Sequence, residues 1–210
     1  MKLNVPFVKS LKKWKGNGWC GPLSLACILR YYGFKDNVEE IAKKARASEK
    51  GGGTVPHGLI NLCLNKNMKV IYFSEEAIIS ENNLKYTKEM RKLLSKIHSK
   101  DLEKGFYNDN KKNKNFVYKK QKAKIKDVEK FLDQERPVLI MQNAAVLFNK
   151  NMLWPHYIVI VGYDKSYFYI HNVAVKNQRF QKVNKQILEK SWNCGGIKNS
   201  LIIPFIEDKK

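Results

Sequence analysis

The chain has little acid, almost no arginine, few histidines and no long apolar run. Against 40 Lys and Arg stand 19 Asp and Glu among 210 residues, a formal net charge of +21. Of the 40 basic residues, 35 are Lys and 5 are Arg. Surfaces that read base edges favour the bidentate arginine fork, so the shortage of Arg argues against sequence-specific nucleic-acid binding. Lysine at solvated positions is what an AT-rich coding sequence produces. The charge is uneven, however, because Lys111–Lys126 holds eight Lys and no acid. That stretch reads as a solvated loop or face, with an anionic partner as the alternative.

Other absences narrow the class further. Apolar stretches such as Tyr157–Val161 and Leu201–Phe205 are strand-length, far short of the roughly 20 residues that span a bilayer. Met1–Trp14 carries Lys2, Lys9, Lys12 and Lys13 but no apolar block of signal-peptide length. These absences predict a cytoplasmic protein with no membrane span. In that compartment Cys20, Cys27, Cys63 and Cys194 are expected as free thiols, and no two of them have the C-x-x-C spacing of a zinc or redox site. H-E-x-x-H, P-loop and G-x-G-x-x-G patterns are missing too, so no metal and no cofactor is expected.

What is present reads as helices followed by strands, an α+β order in a single domain spanning residues 1–210. After the loop Gly16–Gly18 a helix starts near Cys20, with Pro22 in its first turn. Leu25, Ile28, Leu29 and Tyr32 form its buried stripe, and Gly33 ends it. A second helix is expected from Asp36, with Glu39 completing a capping box. A third covers Val55–Asn65 behind a Thr54 cap. Met68–Phe73 reads as a strand, and Ser74–Lys126 as an insertion with one helix through Met90, Leu93, Leu94 and Ile97. A short helix through Val128, Phe131 and Leu132 follows, then a strand at Pro137–Gln142 and a loop at Ala144–Pro155. His156–Val161, a turn at Gly162–Ser166, and Tyr167–Val173 form the clearest hairpin. Asn184 caps a last helix through Ile187, Leu188 and Trp192, and Ser200–Phe205 closes the chain.

Cys20 stands at a helix start, where backbone N–H groups and the helix dipole favour a thiolate. A cysteine nucleophile needs a base, and that base needs a group to orient it. Within the hairpin, a turn centred on Asp164 makes residues whose numbers add to 328 face each other. His156 and Asn172 satisfy this, so they are expected as cross-strand neighbours about 5 Å apart at Cβ. His171 alternates to the other face. His57 and His98 read as surface or capping residues, and Asp164 as a turn residue.

Trp19-Cys20-Gly21-Pro22-Leu23-Ser24-Leu25, running to Leu29-Arg30-Tyr31-Tyr32-Gly33, resembles the nucleophile segment of the bacteriocin-processing, double-glycine leader peptidases. Gly53-Thr54, His156-Tyr157-Ile158-Val159-Ile160-Val161-Gly162-Tyr163-Asp164 and the closing strand Leu201-Ile202-Ile203-Pro204-Phe205 are similar to its later signatures. The resemblance covers the chain apart from Ser74–Lys126. It implies a papain-like fold, with a nucleophile helix packed on an antiparallel sheet that carries the base. It further implies a standalone cysteine peptidase with Cys20, His156 and Asn172 as catalytic residues. The family's third member is usually Asp, and Asn172 departs from that toward papain itself. The family also places a Gln before the nucleophile as an oxyanion donor. None lies between Met1 and Cys20, which leaves Asn17 as the candidate. The expected substrate is a peptide or amide. Acyl transfer on the same triad, and a weakly catalytic basic module that binds nucleic acid through Lys111–Lys126, are the alternatives.

Overall fold

A computed structural model describes residues 1–11, 18–45, 47, 53–74, 106, 108–149, 155–173, 176–192 and 200–207. Asn17, His98, Cys194 and the helix expected through Met90–Ile97 lie outside these residues.

Along the chain run α1 (Cys20–Tyr31), α2 (Val38–Lys44), α3 (Pro56–Asn65), β1 (Lys69–Phe73), β2 (Phe116–Lys119) and α4 (Ile125–Asp133). They are followed by β3 (Val138–Asn143), α5 (Ala144–Leu147), β4 (Pro155–Tyr163), β5 (Tyr167–Asn172), β6 (Gln178–Asn184), α6 (Lys185–Trp192) and β7 (Leu201–Phe205).

Every residue of α1 from Gly21 to Leu29 is buried, as expected of a helix apolar on all sides. Gly33 ends it at φ 87°, with Gly33 N–H donating to Arg30 O and Phe34 N–H to Leu29 O at 3.0 Å. This is the paired-carbonyl arrangement that a left-handed glycine permits. The cap of α2 is Asn37, whose Oδ1 accepts from Glu39 N–H at 2.9 Å, one residue after the Asp36 expected from the sequence. Asp36 instead pairs with Lys66 at 2.7 Å. Thr54 does not cap α3, because the helix begins a residue later behind Val55.

The seven strands form one sheet in the order β2-β1-β7-β3-β4-β5-β6. β1 and β2 run parallel, and the other neighbours antiparallel. β2 lies inside the lysine-rich stretch that reads as a loop or face in the sequence. It is an edge strand with Val117 47% exposed and Lys119 set over the Phe73 ring; edge lysines discourage pairing with a second chain. β6 forms the opposite edge and had no counterpart in the sequence reading. β3 is buried along its whole length, because helices cover both faces. α1 meets the side of β4 that carries Tyr157, whereas Lys185 of α6 lies over Phe168, on the side shared by Ile160 and Ile170.

Two glycines mark close approaches. A Cβ on Gly162 would fall 2.4 Å from Met1 O, where Met1–Leu3 runs alongside the end of β4 and Leu3 N–H donates to Val161 O at 2.7 Å. A Cβ on Gly58 would fall 2.0 Å from Ala45 O, where α3 crosses the end of α2. Alanine gains about 1 kcal/mol over glycine in helix propensity, but overpacking against backbone costs about 1–3 kcal/mol. Gly58→Ala is therefore expected to lower the urea midpoint. A midpoint unchanged or raised would show that the contact is absent.

Candidate active site

β3, β4, β5 and β6 are consecutive in the sheet, and each places a polar side chain on one otherwise apolar face. Gln142 of β3 lies directly opposite His156 of β4. Asn172 ends β5. Gln181 of β6 lies opposite Ile170, and so shares the face of Asn172, two residues further along β5.

The hairpin register differs from the expected one in an instructive way. Tyr163 pairs with Phe168 and Gly162 with Tyr169, but Ile160 pairs with Ile170 and Val159 with His171. Val161 is thus an extra residue, a β-bulge that shifts the pairing by one. The pairs near the turn sum to 331, those beyond the bulge to 330, and neither to the expected 328. Carried on unbroken, the register near the turn would place Asn172 and His156 on opposite faces. The bulge restores the parity, and Asn172 becomes the diagonal neighbour of His156 instead of its direct partner. His156 Nε2 lies 2.9 Å from Asn172 Oδ1. That oxygen can only accept, so Nε2 carries the proton and Nδ1 keeps its lone pair.

Asn172 is held in turn: its Nδ2 donates to Gln181 Oε1 at 3.0 Å. A second bulge, between Ile170 and Asn172 on the β6 side, aligns Gln181 for this. At that bulge Phe180 sits at φ 50°, a conformation that costs a bulky residue about 1–3 kcal/mol. Phe180 N–H donates to His171 Nδ1 at 3.3 Å. His171 Nε2 donates to Val5 O at 2.9 Å, so its two nitrogens tie the amino-terminal segment and β6 to β5. His57 stacks against Phe106. Asp164 accepts from Ser166 and Tyr167 N–H in the hairpin turn.

Cys20 opens α1 and is half-buried. The backbone N–H groups of Tyr157, Gly21 and Cys20 itself favour its thiolate, yet burial outweighs them and raises the thiol above its ordinary range. The expectation that a helix start alone would lower it is therefore overturned by desolvation. The thiol also lies 3.9 Å from Gly18 O, to which it donates. Because the Tyr157 N–H faces the sulfur, Cys20 stands beside Tyr157, the residue that follows His156 in β4. Ser24, one turn further along α1, ties the helix to the same strand through Tyr157 O at 3.2 Å. His156 is buried, and desolvation lowers it to about 4 against the opposing Asn172 bond. Cys27 and Cys63 are buried and pushed up to about 12.

The sequence reading missed Gln142 and Gln181. Gln142 is fully buried, and neither of its amide atoms meets a partner among the described residues. Its place opposite His156 follows from a β3–β4 register that no local motif announces. Gln181 lies in a polar stretch without strand-like alternation. Among the described residues no three His, Cys, Asp or Glu are grouped to hold a metal, and no helix is long and apolar enough to cross a membrane.

A buried helix that opens on a cysteine and packs on a strand whose histidine bonds to an amide is the layout of papain-like thiol peptidases. The model of the Peptidase_C39 like family matches residues 2–196, so the chain belongs to that family and is a cysteine peptidase. Three solved structures share its fold at low identity. A putative C39-like peptidase from Bacillus anthracis is 17% identical with a TM-score of 0.58, and all of both chains is covered. The peptidase domain of Streptococcus ComA, a bifunctional ABC transporter involved in quorum sensing, is 12% identical at 0.55, covering 98% of each chain. A double-glycine-motif protease from an AMS/PCAT transporter, solved with its leader peptide, is 16% identical at 0.51. There 97% of this chain and 92% of the other are covered. No curated protein matches the chain.

The depressed His156 makes a pH prediction. The folded chain binds its proton near pH 4 and the unfolded chain near 6.5, so the unfolded state holds more protons between these values. Stability is therefore lost as pH falls from about 6.5 to about 4, by up to roughly 3 kcal/mol. His171, lowered by burial too, acts in the same direction, so the difference between wild type and His156→Gln isolates His156. The variant is expected to show the shallower fall in chemical-denaturation free energy; equal slopes would contradict a buried neutral His156.

Proposed function

We propose that Cys20, His156 and Asn172 form a Cys-His-Asn triad that hydrolyses peptide bonds through a thioester. The observation that carries this reading is the 2.9 Å contact between His156 Nε2 and Asn172 Oδ1, which leaves Nδ1 unprotonated as the base. Burial favours the neutral forms of both Cys20 and His156, so at rest the triad holds a thiol and a neutral imidazole. The proton moves as the reaction proceeds, by general-base catalysis.

Cys20 Sγ attacks the substrate carbonyl carbon while its proton passes to His156 Nδ1. Asn172 Oδ1 holds the resulting imidazolium in place. The Cys20 backbone N–H, at the open start of α1, and the Asn17 side chain are the proposed donors to the oxyanion. His156 then gives its proton to the leaving nitrogen, and the C–N bond breaks to leave a thioester. Water attacks the thioester, His156 takes its proton, and the acid departs as the proton returns to Cys20 sulfur. The complex of the related double-glycine protease with its leader peptide supports a peptide substrate here. The relatives give no support to an anionic partner at residues 111–126.

Iodoacetamide tests the site on the whole chain. Cys20 is expected to alkylate faster than Cys27 and Cys63, and His156→Ala to slow it by at least about tenfold, the low side of a general base's worth. The Cys20 rate in the His156→Ala variant should rise with pH only above the ordinary cysteine range. Labelling of Cys20 no faster than of Cys27 would sink the catalytic reading. A flat, fast plateau in wild type from pH 4 to 8 would instead establish a resting thiolate–imidazolium pair.

A further inference from the structure

We infer that Gln181 is a positioning residue for the proposed triad: its Oε1 selects which end of the Asn172 amide faces His156. The inference rests on the triad reading above. An asparagine beside an imidazole can present either its oxygen or its nitrogen. If Oδ1 faces the ring, Nε2 is protonated and Nδ1 is a base. If Nδ2 faces the ring, Nε2 must accept, the proton sits on Nδ1, and the base is lost. Asn172 does not choose between these by itself.

Gln181 favours the first arrangement. Its Oε1 accepts from Asn172 Nδ2 at 3.0 Å, which turns Oδ1 toward His156 Nε2 at 2.9 Å. The amide chain thus runs from the edge strand through β5 to the base, and each link fixes the proton position of the next. The backbone is bent to serve this contact. β6 gains a residue between the partners of Ile170 and Asn172, with Phe180 in the left-handed region at φ 50°. Bulges of this kind re-aim a side chain beside an active site. Here Phe180 also donates to His171, which leaves the next residue, Gln181, on the face of Asn172.

An aspartate at position 172 would remove the need for this selection, because its two oxygens are equivalent. That difference supplies the test, read as the iodoacetamide rate at Cys20 at pH 7 in the full chain. Gln181→Met keeps the length but offers no oxygen. It is expected to slow Cys20 by about 3- to 10-fold, the worth of one hydrogen bond. Gln181→Glu, which can only accept, is expected to retain the wild-type rate. In an Asn172→Asp background, Gln181→Met should change the rate by less than about twofold. If Gln181 merely held β6 in place, Met would cost the same in both backgrounds and Glu would not rescue, and the inference would be overturned. A Gln181→Met rate equal to wild type, with Asn172→Ala slow, would remove this inference and leave the triad standing. An Asn172→Ala rate equal to wild type would remove both.

Discussion

The residue on which the geometry of the site depends is a buried valine. Val161 is one residue too many for the ladder between β4 and β5, and the parity of everything toward the start of β4 hangs on it. Side chains alternate along a strand, so a single extra residue transfers all that follows to the other face. Without the bulge, His156 and Asn172 would look in opposite directions. With it they meet at 2.9 Å. The amino-terminal segment takes up the Val161 carbonyl through Leu3, and Gly162 makes room for that segment where any side chain would collide with it. The site's geometry is thereby coupled to the first residues of the chain.

The chemistry follows from burial as much as from neighbours. A helix start and three backbone N–H groups favour a Cys20 thiolate, and an amide oxygen favours a charged His156. Desolvation opposes charge on both and prevails on both. The proposed triad would therefore rest neutral and separate charge only as the reaction proceeds. Asparagine in the third position suits it, because a carboxylate there would bring a standing charge into a buried slot. What asparagine lacks is symmetry. The amide must be told which way to face, and the polar row across β3 to β6 contains a residue able to do so.

Much of the site was legible before any coordinates. Cys20 at a helix start, His156 at the head of a strand-length apolar run and Asn172 one hairpin away are visible as local patterns. Their kinship with a peptidase family is visible in the Trp19–Leu25 and His156–Asp164 segments. The numerical register was off by two, and the even error preserved the face. β2 went unseen because it has only four residues inside a lysine-rich stretch, and β6 because its sequence is polar; each edge strand is stabilised by the strand beside it. Gln142 and Gln181 went unseen because their roles depend on registers between strands. A glutamine becomes part of a site only through what lies across the sheet.

Local chain chemistry thus settled where the longer helices lie to within a residue or two, which segments become core strands, and which sulfur, ring and amide are candidates for catalysis. Apolar periodicity and helix caps act over a few residues, so the sequence displays them directly. Only the tertiary structure decided the strand order, the two bulges, the burial that opposes charge on Cys20 and His156, and the amide bonded to Asn172. Each of these depends on the burial or the register of segments far apart in the chain, and neither quantity exists until the sheet has formed.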